Sequence, residues 1–192
     1  MDNRLYRYLM LTAIVLTVAW LGWTVYDTFV RTVSPGDHGY HAANKLFEDG
    51  HYERALTEYN AALAEAPDHV HALRGKARTL MQLGEYKQAL QVFNEVIARE
   101  PGFAPSYANR GILYDRMGLY EKAIADYEHA LQLDIGLAKG PGWLTRFLRL
   151  QPQKPPTIAD RAAYLREQLA RPESERTLRM PEVDEQQRPY KL

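Results

Sequence analysis

Residues 70–103 read VHALRGKARTLMQLGEYKQALQVFNEVIAREPGF, and the 34-residue stretches on either side repeat the pattern, so one unit occurs three times between Gly36 and Leu137. Counted from the start of each unit, Ala43, Ala77 and Gly111 occupy position 8, and Leu46, Leu80 and Tyr114 position 11. Gly50, Gly84 and Gly118 fall at position 15, Tyr52, Tyr86 and Tyr120 at 17, Ala55, Ala89 and Ala123 at 20, and Tyr59, Phe93 and Tyr127 at 24. Small residues at positions 8 and 20 let two antiparallel helices approach closely, while the aromatics fill the space beside them. Glycine at position 15 permits the positive φ that ends a first helix. Pro67 and Pro101 at position 32 stop the second helix, where the third unit has Ile135. The spacing therefore predicts an all-α solenoid of helix pairs at 36–69, 70–103 and 104–137.

This pattern resembles the tetratricopeptide repeat family, whose spacing it matches over more than half of the chain. The resemblance implies a protein-binding module rather than an enzyme. It also implies that the first helix of each pair lines a concave groove through repeat positions 2, 5, 9, 12 and 13. Those positions hold Tyr40, Asn44, Phe47 and Glu48 in the first unit and His71, Arg74, Arg78, Met81 and Gln82 in the second. The third contributes Pro105, Ala108, Ile112, Asp115 and Arg116. Two arginines one turn apart can fork a carboxylate, and Tyr40, Phe47 and Met81 can take an apolar side chain. The expected client is thus a protein segment combining acidic and apolar residues. The competing reading is a solvated helix face whose arginines pair with neighbouring acids.

Some members of the family clamp the acidic C-terminus of a chaperone between basic and Asn residues. Asn44 matches that pattern, but Tyr40, Gly75, Pro105 and Asn109 stand where the clamp needs Lys, Asn, Lys and Arg, so the clamp is not expected here. Lys76 and Arg110 at position 7 depart from the family's usual leucine; their stems are expected to pack while their charges reach water.

From Tyr8 to Tyr26 the chain carries no charged residue. Such a helix is about 28 Å long, enough to cross a hydrocarbon core. Arg4 and Arg7 precede the run, as in a signal peptide, but it ends in Trp20, Trp23 and Tyr26 without a small-x-small cleavage site, which favours a retained anchor over 8–30. The positive flank places residues 1–7 in the cytoplasm, and the repeats beyond a short linker at 31–35 in the periplasm of a bacterial inner membrane.

The chain of 192 residues balances 24 basic against 24 acidic residues, which removes the bulk electrostatic case for a nucleic-acid partner. It has no cysteine, hence no disulfide, thiolate zinc site or cysteine nucleophile. Six histidines include His38 with His41 and His69 with His71, but no HExxH or accompanying carboxylate spacing supports a metal site. Nucleophile-elbow, Walker and dinucleotide patterns are missing too, so no catalytic residue or cofactor is expected.

After the third unit, Trp143, Leu144, Phe147 and Leu148 share a helical face, and residues 138–150 are expected to cap the exposed end of the array; a bilayer-surface helix is the alternative. A proline-rich break at 151–156 precedes an amphipathic helix over 157–170, with Thr157 as N-cap, Asp160 completing the capping box and Ile158, Ala162, Leu165 and Leu169 on one face. That face is expected to pack on the repeats, or else to enter a groove. Residues 171–192 read as an extended or disordered tail.

These observations favour a membrane-anchored scaffold or assembly factor that captures a membrane or envelope protein client. Two other assignments fit the same features: a structural subunit of a membrane complex held by its anchor and tail, and an organelle-surface receptor or co-chaperone with cytosolic repeats.

Overall fold

The computed structural model describes residues 3–27, 34–140, 155–179 and 190. It contains eight α-helices and no strand among those residues. Helix α1 spans Asn3–Val25, and three antiparallel pairs follow: α2 (Asp37–Glu48) with α3 (Tyr52–Glu65), α4 (Val70–Gln82) with α5 (Tyr86–Arg99), and α6 (Ala104–Arg116) with α7 (Tyr120–Leu133). A 3-10 turn at Ile135–Lys139 ends the third pair, and α8 covers Ile158–Ala170.

The repeat pattern is realised side chain by side chain. Ala43, Ala77, Ala55, Ala89 and Ala123 are fully buried, as are Tyr59 and Tyr127, with Phe93 almost so. Ala62, Val96 and Ala130, again one period apart, complete the seam. Each first helix ends on a glycine with φ of 79°, 79° or 74° at Gly50, Gly84 and Gly118. There the following amide turns back, His51 N–H to the Leu46 carbonyl at 2.8 Å, Glu85 to Leu80 at 2.9 Å and Leu119 to Tyr114 at 2.8 Å. Carbonyls that a helix end would leave unpaired are thus satisfied three times in the same way.

Two glycines answer a different need. A Cβ built on Gly75 would sit 2.2 Å from the Tyr59 ring, and one on Gly111 2.6 Å from the Tyr127 ring. The aromatic at position 24 therefore rests directly on the backbone of a first helix, from the next pair for Tyr59 and from the same pair for Tyr127.

The core divides in two. Ala43, Ala55, Tyr59, Ala62 and Ala72 form a small cluster within the first pair and the start of α4. The larger cluster runs from Ala77 through α5, α6 and α7 to Ile158, Ala162 and Leu165 of α8. Helix α8 thus lies on the third pair, and residues of 158–170 contribute to covering that end of the array. Of the segment 138–150 expected to do this, only 138–140 fall within the described residues, finishing the 3-10 turn. Asp134 caps that turn by accepting the Gly136 N–H at 2.8 Å, one residue before the position where the earlier units have proline.

Thr157 precedes α8 as its N-cap, its hydroxyl accepting from the Asp160 amide at 3.3 Å while the Asp160 carboxylate accepts the Thr157 N–H at 2.9 Å. The helix is therefore one residue shorter at its start than the 157–170 expected from sequence. Beyond it, residues 171–179 form a 3-10 turn at Glu173–Glu175 and then an extended run.

Helix α1 begins before the charge-free run, taking in Arg4 and Arg7, and its described side chains are exposed along its length. The stretch Arg4–Val25 is long and apolar enough to cross a membrane. Its three threonines turn their hydroxyls inward, donating to carbonyls one turn back: Thr12 to Tyr8 at 3.0 Å, Thr17 to Ala13 at 2.8 Å and Thr24 to Trp20 at 2.6 Å. This satisfies polar groups that hydrocarbon would not. Residues 28–33, which include the end of the expected anchor and most of the linker, lie outside the described residues.

Candidate protein-binding groove

The residues expected to line a groove separate into an open half and a covered half. In the first two pairs, Tyr40, Phe47, His71, Arg74 and Arg78 come together. Tyr40 lies against the rings of His69 and His71, with ring centres 5.1 and 5.9 Å away. Asn44 accepts the Tyr59 hydroxyl at 2.6 Å. Burial pushes the Tyr59 hydroxyl up to about 12, which keeps it the donor in that bond at neutral pH.

Arg74 and Arg78 are 2% and 7% exposed, so neither belongs to a solvated helix face. The Arg74 guanidinium lies 3.6 Å over the centre of the Phe103 ring, and that of Arg78 lies 4.8 Å from the Phe47 ring. Desolvation pulls both groups below the usual arginine value, and nearby tyrosines partly restore them. Arg74 pairs with Glu100, whose side chain is 43% exposed. Each arginine nevertheless keeps a buried Nε without a hydrogen-bond partner among the described residues. His71 sits beside Arg74, and burial together with that neighbouring positive charge holds its imidazole below the ordinary value.

Met81 is fully buried, so it forms part of the groove's floor and not of its exposed wall. Gln82 accepts from Arg116 at 3.2 Å, which ties α4 to α6. Glu48 stays at the exposed rim.

The third pair behaves differently from what its positions led us to expect. Ala108 and Ile112 are fully buried in the cluster that includes α8, and Pro105 is half-buried. Asp115, 6% exposed, accepts both Nε and Nη2 of Arg161 at 2.7 and 2.8 Å, and the Tyr127 hydroxyl at 3.2 Å. Arg161 also donates to the Leu178 carbonyl at 3.0 Å, and Arg179 donates to the Arg116 carbonyl at 3.2 Å. Ala108, Ile112 and Asp115 are therefore closed to a client, because the chain's own α8 and tail occupy that face.

Another expectation is corrected at Arg110. Its charge does not reach water alone but grips Asp126 through Nε and Nη2 at 2.7 and 2.8 Å, and Asn94 through Nη1 at 2.8 Å. That pairing raises the arginine's affinity for its proton. The readable signal was an acid at position 23 of the same unit whose position 7 carries the unusual arginine.

The histidine pairs have structural explanations where they are packed. His69 caps α4, its Nδ1 accepting the Ala72 N–H at 3.2 Å while Nε2 lies 2.9 Å from Asp37. Among the described residues, no group of three or more His, Asp or Glu side chains is placed to hold a metal ion.

An array of three helix pairs with this shape and this recurrent packing matches a known sequence pattern, that of the tetratricopeptide repeat, over residues 46–109 and again over 104–134. The chain is a tetratricopeptide-repeat protein. Similar solved structures include the "MamA RS-1 ArsTM double mutant", 26% identical over 71% of this chain and 77% of that one, with a TM-score of 0.51. MamA from residue 41 to its end, from Desulfovibrio magneticus RS-1, is 24% identical over 85% of this chain and 93% of that one, with a TM-score of 0.52. The first repeat domain of Spaghetti (RPAP3), bound to the HSP90 peptide SRMEEVD, is 18% identical over 73% of this chain and 97% of that one, with a TM-score of 0.58. These last two likenesses concern the fold. Among proteins of curated function, none matches this tetratricopeptide-repeat chain. Arrays of this family are in general protein-interaction modules.

Proposed function

We propose that this chain is a membrane-anchored scaffold or assembly factor that captures an acidic, apolar segment of a membrane or envelope protein in the groove formed by its first two repeats. The observation that carries this reading is the pair of buried guanidiniums, Arg74 and Arg78, each with an unused Nε and each backed by an aromatic ring. Buried charge without full hydrogen bonding is costly unless a partner completes it. Glu100, an exposed side chain resting on Arg74, occupies the place a client carboxylate would take. Tyr40 and Phe47 supply the apolar wall. Peptide capture by a related fold is known from the Spaghetti domain bound to SRMEEVD. This chain itself carries a segment of like composition, RMPEVD at 179–184.

The α1 helix would act as a retained single-pass anchor in a bacterial inner membrane, with the repeats in the periplasm. Confinement at the bilayer raises the effective concentration of groove and client. The deciding experiment is co-purification from native membranes in mild detergent, followed by mass spectrometry, with wild type beside Arg74→Glu, Arg78→Glu. Loss of partners in the double variant is the expected result, by about 100-fold or more if each charge-assisted contact contributes about 1.5 kcal/mol. Partners retained in unchanged ratio would overturn groove capture and favour a structural subunit held by its anchor.

A further inference from the structure

Asn109 lies on the inner face of α6, one turn from Pro105 and from Ile112, and is fully buried. Both polar atoms of its carboxamide are spent on one residue far along the chain. The Tyr190 N–H donates to Asn109 Oδ1 at 2.7 Å, and Asn109 Nδ2 donates to the Tyr190 carbonyl at 3.3 Å. The Tyr190 hydroxyl accepts the Ile158 N–H and donates to the Leu137 carbonyl, each at 3.3 Å. Its ring packs against the main core.

Every one of these hydrogen bonds joins Tyr190 to the third repeat or to α8 through a backbone group on one side or the other. The carboxamide reads only main chain, so any residue that presents its N–H and carbonyl in the same way satisfies it; the ring and hydroxyl add a preference for tyrosine. Without an occupant, the carboxamide would lose the partners of both its polar atoms. The site is therefore built to hold a peptide.

We propose that the third repeat carries a second peptide site, formed by Asn109, the Leu137 carbonyl and the Ile158 amide, that takes an extended tyrosine-bearing segment and is filled in cis by the chain's own C-terminal Tyr190. The tail is a built-in, displaceable ligand that closes the far half of the groove until a client segment with an aromatic residue replaces it. This rests on the reading of the groove as a client site, and it adds the way in which that site is regulated. A cis ligand works by its high local concentration, so modest intrinsic affinity is enough to block the site.

The test uses the full-length chain in detergent and a fluorescein-labelled peptide, DEQQRPYKL, copied from residues 184–192. Anisotropy titration is expected to show that Tyr190→Ala protein binds the peptide about tenfold more tightly than wild type, whose own tail competes. Tyr190→Phe, which keeps the backbone bonds and the ring but not the hydroxyl, is expected to fall between them. The same peptide with alanine in place of its tyrosine should bind neither, a control that leaves the protein untouched. Adding Asn109→Ala to Tyr190→Ala should remove the gain while far-UV helicity is retained. Equal binding by wild type and Tyr190→Ala, or undiminished binding of the alanine peptide, overturns the proposal.

The two readings fail separately. Client loss in Arg74→Glu, Arg78→Glu with no peptide exchange keeps the groove and eliminates the cis ligand. Peptide exchange without client loss does the reverse.

Discussion

Asp115→Ala is expected to destabilise the chain by about 3–5 kcal/mol, the range for removing one partner of a buried ion pair. The substitution leaves the Arg161 guanidinium, 4% exposed, without the carboxylate that takes two of its N–H groups. It also deprives the buried Tyr127 hydroxyl of an acceptor. Arg161→Ala should cost a comparable amount for the converse reason. Replacing both together, with Asp115→Leu and Arg161→Met, should recover most of the loss, since a well-packed apolar pair avoids the desolvation of two charges. Urea unfolding of the full chain followed by far-UV circular dichroism measures all three variants. Additive losses in the double variant would show that the pair is not coupled. The consequence reaches beyond stability, because Arg161 also holds the Leu178 carbonyl, so the single variants should release α8 and the tail from the third repeat together.

The second large effect is expected from Gly75→Ala. In an exposed helix this exchange would favour folding by close to 1 kcal/mol. Here the new methyl would meet the Tyr59 ring at 2.2 Å, and that ring is fully buried and fixed at its far end by Asn44. Overpacking of this kind costs about 1–3 kcal/mol or more, so the expected net outcome is a loss despite the gain in helix propensity. Tyr59→Leu frees the space. The double variant Gly75→Ala, Tyr59→Leu should therefore be more stable than the sum of the two single losses predicts, by at least 1 kcal/mol. A thermal midpoint that rises in Gly75→Ala alone would refute the close-packing account.

How legible these features were in the sequence depends on how local their cause is. The helix pairs follow from Ala, Gly and aromatic residues at fixed positions, because each unit solves the same packing problem with neighbours only one period away. Thr157 and Asp160 were equally readable, since a capping box is settled within four residues. Asp115 was not. Position 12 in a repeat reads as a groove residue, and nothing in the period announces that Arg161, 46 residues later, comes back to pair with it. The same limit concealed the contact between Asn109 and Tyr190, 81 residues apart. For Arg74 and Arg78 the sequence revealed the charge but not the burial, which depends on Phe103 and Phe47 closing over them.

The division of the core has a mechanical meaning. In the membrane-anchored reading proposed above, force applied through α1 would enter the array at the first repeat. That repeat rests on only five buried apolar residues, four of them alanine, while the second and third share a continuous core with α8. In a one-dimensional array each unit is held by itself and its neighbours alone, so the weakest end yields first. Helices α2 and α3 should accordingly show faster amide exchange than α5 and α6; uniform exchange along the array would refute this. Tyr40 and Phe47 ride on α2, so tension would dismantle one wall of the groove before it reached the arginines. The first repeat would then serve as a fuse, letting go of cargo while the rest of the domain stays folded.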